Sequence, residues 1–290
     1  MALQSPFPAA TSGRLPAGVV VQPRKFEFRD LESVPQDWFA DNPILTRMEN
    51  AFSIFIPPGE RFFIRSVRNF EHRAADPELQ DLIRAFVQQE VFHTRAHNEF
   101  NASLRKFGVD VERESAYADR VMRSMHRHLP LKMQLGVTAF LEHLTATGAH
   151  MLFLEPLIGE SMHPEMLRFW RWHAVEELEH KAVAFDLFTA VGGGYLLRIF
   201  SALVVLAWLT LPFDRVVRRM TKEDRREITA EMRRGARQIH RKLAGPQLRL
   251  IAQYFKPSFH PWNFDDATYL TEWYASAEAS DPQNEQARTG

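Results

Sequence analysis

Residues 77–108 read PELQDLIRAFVQQEVFHTRAHNEFNASLRKFG, and one stripe runs through them: Leu79, Ile83, Phe86, Glu90, His93, His97, Phe100, Leu104 and Phe107. The steps alternate four and three, the spacing of a single helix face over about eight turns. Asp76-Pro77 supplies an N-cap with proline in the first turn, and Gly108 closes the segment. A stripe this regular is what a bundle helix buries. Its central members break the pattern, because Glu90, His93 and His97 stand where Leu or Ile would pack.

The same exception recurs downstream. Between Pro164 and the glycines at 192–194 the stripe is Met166, Trp170, His173, Glu177, His180, Ala184, Leu187 and Val191, and one continuous helix is expected there. Another helix, over residues 131–152, carries Leu131, Leu135, Thr138, Glu142, Thr145, Ala149 and Leu152, with Glu142 central. Glu60, Ile64 and Val67 share a face after Pro57-Pro58-Gly59, a proline pair that either starts a helix or kinks a longer one running from Asn42. Residues 110–129 have the pattern of a connecting amphipathic helix, and no strand-like alternation intervenes. The polar insertions fall in the order Glu60, Glu90-x-x-His93, Glu142, Glu177-x-x-His180, an internal repeat of two helical hairpins. The expected fold is all-α, a ferritin-like four-helix bundle over residues 41–194 with additional C-terminal helices.

Residues three apart on a helix share a face, so each Glu-x-x-His sets a carboxylate and an imidazole at one inward spot. Two such helices, with one Glu from each of two others, make the cage of a dinuclear metal site. Four buried carboxylates would be costly alone, but formally they balance two divalent cations. With 23 Glu and 12 His in the chain, about one Glu-x-x-His is expected by chance; there are three. The third, Glu160-x-x-His163, abuts Pro164 and is read as accidental. His143 and His150 are read as satisfied core histidines, the usual fate of a single buried imidazole.

Three segments, PPGERFFIRSVR (57–68), QQEVFHTRAHN (88–98) and WHAVEELEHK (172–181), resemble the bacterial family labelled "predicted metal-dependent hydrolases". The resemblance runs over roughly residues 40–262 and includes Phe259-His260-Pro261-Trp262. His173-x-x-x-Glu177-x-x-His180 is also similar to the di-iron arylamine N-oxygenases, such as p-aminobenzoate N-oxygenase. That second resemblance covers the site and not the substrate. It implies His173 as a further ligand, with His97 as a local rival or a partner behind the ligands. The expected metal residues are Glu60, Glu90, His93, Glu142, His173, Glu177 and His180, with His97 and Glu176 behind them. The expected cofactor is two iron ions, manganese or a manganese–iron pair being the alternatives. The expected activity is O₂-dependent oxidation of a small apolar or aromatic substrate, drawing on an electron donor. A two-metal hydrolase, with Arg61, Arg65 and Arg68 as substrate clamps, and non-catalytic iron handling or ferroxidase action are the alternatives.

Composition narrows the rest. The 290 residues are 45% apolar and 25% charged with net charge +0, which gives no global electrostatic case for nucleic acid. The absence of cysteine excludes disulfides, thiolate nucleophiles and cysteine metal sites. Residues 1–40, rich in Pro, Ala, Gly and Ser at their start, are expected to be a flexible leader without a secretory pattern, and the protein cytoplasmic. Residues 263–290 are expected to be a tail. Between them, YLLRIFSALVVLAWLTLPF (195–213) is followed by a basic stretch, 214–249, with twelve Lys/Arg against five Asp/Glu. Residues 195–262 are expected to pack on the bundle, at a homodimer interface, or on a membrane as a peripheral contact through 195–242.

Overall fold

The computed structural model describes residues 14–224 and 226–276; residues 1–13, Arg225 and 277–290, including the start of the leader and the second half of the tail, lie outside the described residues. The fold is all-α, and among the described residues no strand forms. The bundle is built from two hairpins. The first pairs α1 (Pro43–Arg68) with α2 (Pro77–Ser103). α3 (Val111–His128) crosses to the second hairpin, α4 (Leu131–Leu154) with α6 (Pro164–His180), whose connection contains the short α5 (Pro156–Glu160).

The proline pair does not start α1. Asn42 caps the helix by accepting from the Ile44 and Leu45 amides, and Pro57 and Pro58 lie inside it. Each proline lacks an N–H, so the carbonyls four residues back, on Ser53 and Ile54, have no helical donor. The Ser53 carbonyl accepts instead from Asn101 Nδ2 of α2 at 3.0 Å.

The second long stripe is not one helix. α6 ends at His180, residues 181–182 turn, and α7 (Val183–Ala190) resumes, ending where Gly192 takes φ +77°. At the break Lys181 is buried, pairs with Asp266, and lies 4.0 Å from the centre of the Trp262 ring. A seam pattern cannot register such a break, because burial of the flanking residues keeps the apolar period intact.

Two apolar clusters sandwich the polar middle of the bundle. One holds Phe100, Ala149, Met166 and Phe169; the other holds Leu79, Phe86, Leu135 and Phe140. Glu90 and His93 of α2 fall between them along the helix.

The expected flexible leader is instead part of the fold from Arg14 onward. Val19, Val21, Arg24 and Phe26 are buried, and Phe26 packs against Phe169 and Trp172. The tail contributes α10 (Ala267–Tyr274), with Leu270 and Trp273 buried. α8 (Tyr195–Glu223) and α9 (Ala230–Gln253) both lie on α4. α8 comes close because position 136 of α4 is glycine: a Cβ there would stand 2.5 Å from Ser201 Oγ.

Candidate metal centre

All seven expected ligands converge in the middle of the bundle. Glu60 comes from α1, Glu90 and His93 from α2, Glu142 from α4, and His173, Glu177 and His180 from α6, every one of them buried. Donor atoms of Glu60, His93 and His173 lie within 4.8 Å of one another, and so do those of Glu90, Glu177 and His180. Glu177 stands between the groups: Oε1 is 3.0 Å from His173 Nε2 and 3.7 Å from His93 Nδ1, while Oε2 is 3.6 Å from His180 Nε2. Glu142 Oε2 joins the second group, 3.1 Å from the same His180 nitrogen, and Glu90 Oε1 is 3.2 Å from it. The cage therefore has two centres with one carboxylate between them.

Left to itself the cage is under-satisfied. Both oxygens of Glu90 and of Glu142, one oxygen of Glu60 and of Glu177, both nitrogens of His93 and His180 Nε2 are buried without a hydrogen-bond partner. Such a set in one place is what a cation would satisfy. Protonation behaves accordingly. Burial, aided by neighbouring glutamates, pushes the Glu60 and Glu90 carboxyls well above the usual range, and burial brings Glu142 up to about 7. Burial works the same way on Glu177, but the His173 and His180 imidazoles close to its oxygens overcome it and hold that carboxyl well below the usual range. Burial lowers His180 too, yet Glu142 and Glu177 outweigh it and raise that imidazole well above its ordinary value. His93, facing burial and other imidazoles, is pushed well down.

Two of the cage histidines have hydrogen-bond partners behind them, which fix the nitrogen they turn inward. His93 Nδ1 faces Glu60 and Glu177, and its Nε2 lies 3.1 Å from Glu176 Oε2 without a hydrogen bond. His180 Nδ1 donates to Gln89 Oε1 at 3.0 Å, and that amide is oriented by its own Nε2, which donates to Glu179 at 2.8 Å. The third case is a relay. Asn101 Nδ2 donates to the Ser53 carbonyl, leaving Oδ1 to accept from the Ser53 hydroxyl at 2.8 Å. Ser53 Oγ then accepts from His97 Nδ1 at 2.8 Å, His97 Nε2 accepts from His173 Nδ1 at 3.1 Å, and His173 Nε2 is left bare toward the cage. Burial keeps His97 neutral, as the relay requires. The geometry sets His97 behind His173 and separates their roles: His173 faces Glu177, and His97 faces Ser53.

The outermost layer comes from segments that the helical pattern passed over. The Arg24 amide donates to Glu176 at 2.7 Å, and its guanidinium to Glu179 at 2.7 and 3.1 Å. Tyr274 donates to the same Glu179 at 2.8 Å. Ser53 and Asn101 carried a sequence signal, since Ser53 is two turns before Glu60 and Asn101 one turn after His97; Arg24 carried none. The remaining candidates lie elsewhere. His143 Nε2 faces the Leu250 carbonyl, His150 pairs with Asp266, and His163 caps α6.

A cavity of about 390 Å³ reaches the cage at His173, walled by Phe52 of α1, Leu144 and Leu152 of α4, Trp170 of α6, Phe213 of α8 and Leu243 of α9. Glu49 is the one acidic residue in its wall, and burial pushes that carboxyl up to about 7. Arg61, Arg65 and Arg68 are exposed on the outside of α1, and Arg61 pairs with Asp119.

The model of the predicted metal-dependent hydrolases matches residues 22–265. The chain belongs to that family. Its members are described as metal-dependent enzymes, in keeping with the buried Glu/His groups here. No curated protein and no solved structure matches the chain, so the likeness to p-aminobenzoate N-oxygenase rests on the spacing of His173, Glu177 and His180 alone.

Proposed function

We propose that this metal-dependent family member is a non-haem di-iron oxidoreductase that uses O₂ to oxidise a small apolar or aromatic substrate. Glu60, His93 and His173 would hold one ion, Glu90, Glu142 and His180 the other, and Glu177 would lie between them. An oxygen and nitrogen donor set without thiolate suits iron, and manganese nearly as well. Bound there, reduced iron supplies the electrons and Lewis acidity with which O₂ can be activated.

The observation that carries the reading is the cavity that ends on His173. Its walls are mostly aliphatic and aromatic, so it accepts an apolar body. Glu49 gives it a single acidic contact, suited to a substrate bearing one hydrogen-bond donor. The remaining residues have supporting roles. Arg24 offsets the charge of Glu176 and Glu179, while Gln89 and His97 hold the His180 and His173 imidazoles in their inward-facing tautomers. Hydrolysis would call for polar clamps beside the metals. The arginines expected for that role lie on the outer surface instead.

The test is anaerobic loading with Fe(II), followed by exposure to O₂ with and without small aromatic amines or phenols. Stoichiometric O₂ uptake coupled to an oxidised organic product supports the reading. Hydrolysis of esters by the Zn(II)- or Mn(II)-loaded protein, with no O₂ uptake by the iron form, refutes it.

A further inference from the structure

One long apolar helix face points outward. α8 contains a window long and apolar enough to cross a bilayer, yet only 22% of that window is buried, unlike a core helix. The exposed side chains form one stripe, Leu196 (81% exposed), Phe200 (57%), Leu203 and Leu211 (74%). At the same helical spacing the stripe continues as Arg215, Arg218 and Lys222, all exposed. α8 is not free to stand up and span. The Arg198 guanidinium on its inner face donates to the carbonyls of Phe259 and Lys256, and Ser201 is fitted against Gly136.

Beside it, α9 carries Arg233, Arg234, Arg237, Arg241, Lys242 and Arg249 against a single acid, Glu231, and all six basic residues are exposed. Of these six, only Lys242 has a carboxylate within ion-pair reach among the described residues, Glu155 at 3.8 Å. The two helices share a wall of the cavity that leads to His173, through Phe213 of α8 and Leu243 and Gln247 of α9.

We propose that the α8–α9 face seats on an anionic lipid bilayer, with the stripe from Leu196 to Leu211 in the interface and the arginines of α9 on phosphate headgroups. Apolar side chains followed on one face by basic ones match the layering of a bilayer surface. A second copy of the chain matches it less well. Antiparallel pairing of two α8 stripes would press Arg215 and Arg218 onto the partner's leucines, and parallel pairing would oppose like charges. The docking is independent of the cage chemistry. The supply of an apolar substrate from the bilayer to His173 rests on the oxidoreductase reading.

The test is flotation of the full chain with vesicles of phosphatidylcholine, alone or mixed with phosphatidylserine. Because the net charge is +0, binding to the mixed vesicles reports a local surface. Wild type is expected to float with the mixed vesicles and to be released by salt. Arg234→Glu with Arg237→Glu and Arg241→Glu should weaken binding roughly a hundredfold, from about fivefold per lost cation. Leu203→Asp with Leu211→Asp should abolish it. Both sets alter exposed side chains, and circular dichroism should show unchanged helix content. Glu142→Ala, which disables the cage, should float like wild type, so failure of the cage reading leaves this result intact. The proposal is overturned if wild type does not float, or if both variant sets float as well as it does. It is equally overturned by a dimer that Leu203→Asp with Leu211→Asp splits, with no vesicle binding by either form.

Discussion

The relay behind His173 can be broken at its far end without touching a ligand. Ser53→Ala removes the group that accepts the His97 Nδ1 proton, 2.8 Å away in a buried site. The imidazole then has two options. It can keep a buried N–H without a partner, at a cost of about 1–3 kcal/mol. Alternatively it can move the proton to Nε2 and donate to His173 Nδ1, which drives a proton onto His173 Nε2 where a metal lone pair is needed. Either way, affinity at the centre formed with Glu60 and His93 should fall by roughly 10–100-fold, the usual effect of losing such an outer partner. The centre around Glu142 and His180 has its own outer support in Gln89 and should be spared. Competitive Co(II) titration against a chelator, followed by visible absorption, should resolve one weakened and one unchanged site. His97→Phe should do the same, since Phe cannot accept from His173. Two unchanged affinities in both variants would refute the tautomer relay and reduce His97 to packing.

Further outcomes follow from the same geometry. The metal-free protein should lose stability as pH rises from about 4.5 through about 7. Over that window Glu142 keeps its proton when folded and releases it when unfolded, a contribution on the order of 3 kcal/mol. His180, also raised, adds a loss in the same direction, while Glu177 contributes stability that disappears only on acidification. Calorimetry should therefore show the melting temperature of the apo form falling between about pH 4.5 and about pH 7, and metal should abolish that slope. Metal loading near neutral pH should also release protons, seen as buffer-dependent heats in titration calorimetry. Arg24→Met should cost about 3–5 kcal/mol by leaving Glu176 and Glu179 buried beside no cation, measured by urea unfolding. Gly136→Ala should cost about 1–3 kcal/mol by forcing α8 off α4.

The bundle and its cage were legible because both are periodic. Glu90, His93, His97, His173, Glu177 and His180 interrupt stripes whose every other member is apolar, and helix geometry alone brings such residues to one layer. The break at Lys181 was hidden because its neighbours stay buried whichever side of the turn they occupy. Arg24 was hidden for a different reason. Its partners Glu176 and Glu179 are about 150 positions away, in a segment whose composition gives no sign of burial. Proline was the ambiguous residue, since Pro57 reads as a helix start or a helix interior. The structure shows the second, and the carbonyl that Pro57 releases is the one that Asn101 uses to orient Ser53.

Glu179 gathers Gln22 and Arg24 from the first described residues and Tyr274 from the last. The brace behind the cage is thus closed by segments some 250 positions apart in the chain, although the ligands themselves span only positions 60 to 180. During synthesis the four ligand helices emerge well before Tyr274 does, so an early cage would lack half of its outer brace. The ligands can thus assemble before Tyr274 reaches Glu179 and Val20. Release of either segment would loosen the histidines without removing a ligand. In this molecule residues 20–24 and Tyr274 act as a clasp on its centre.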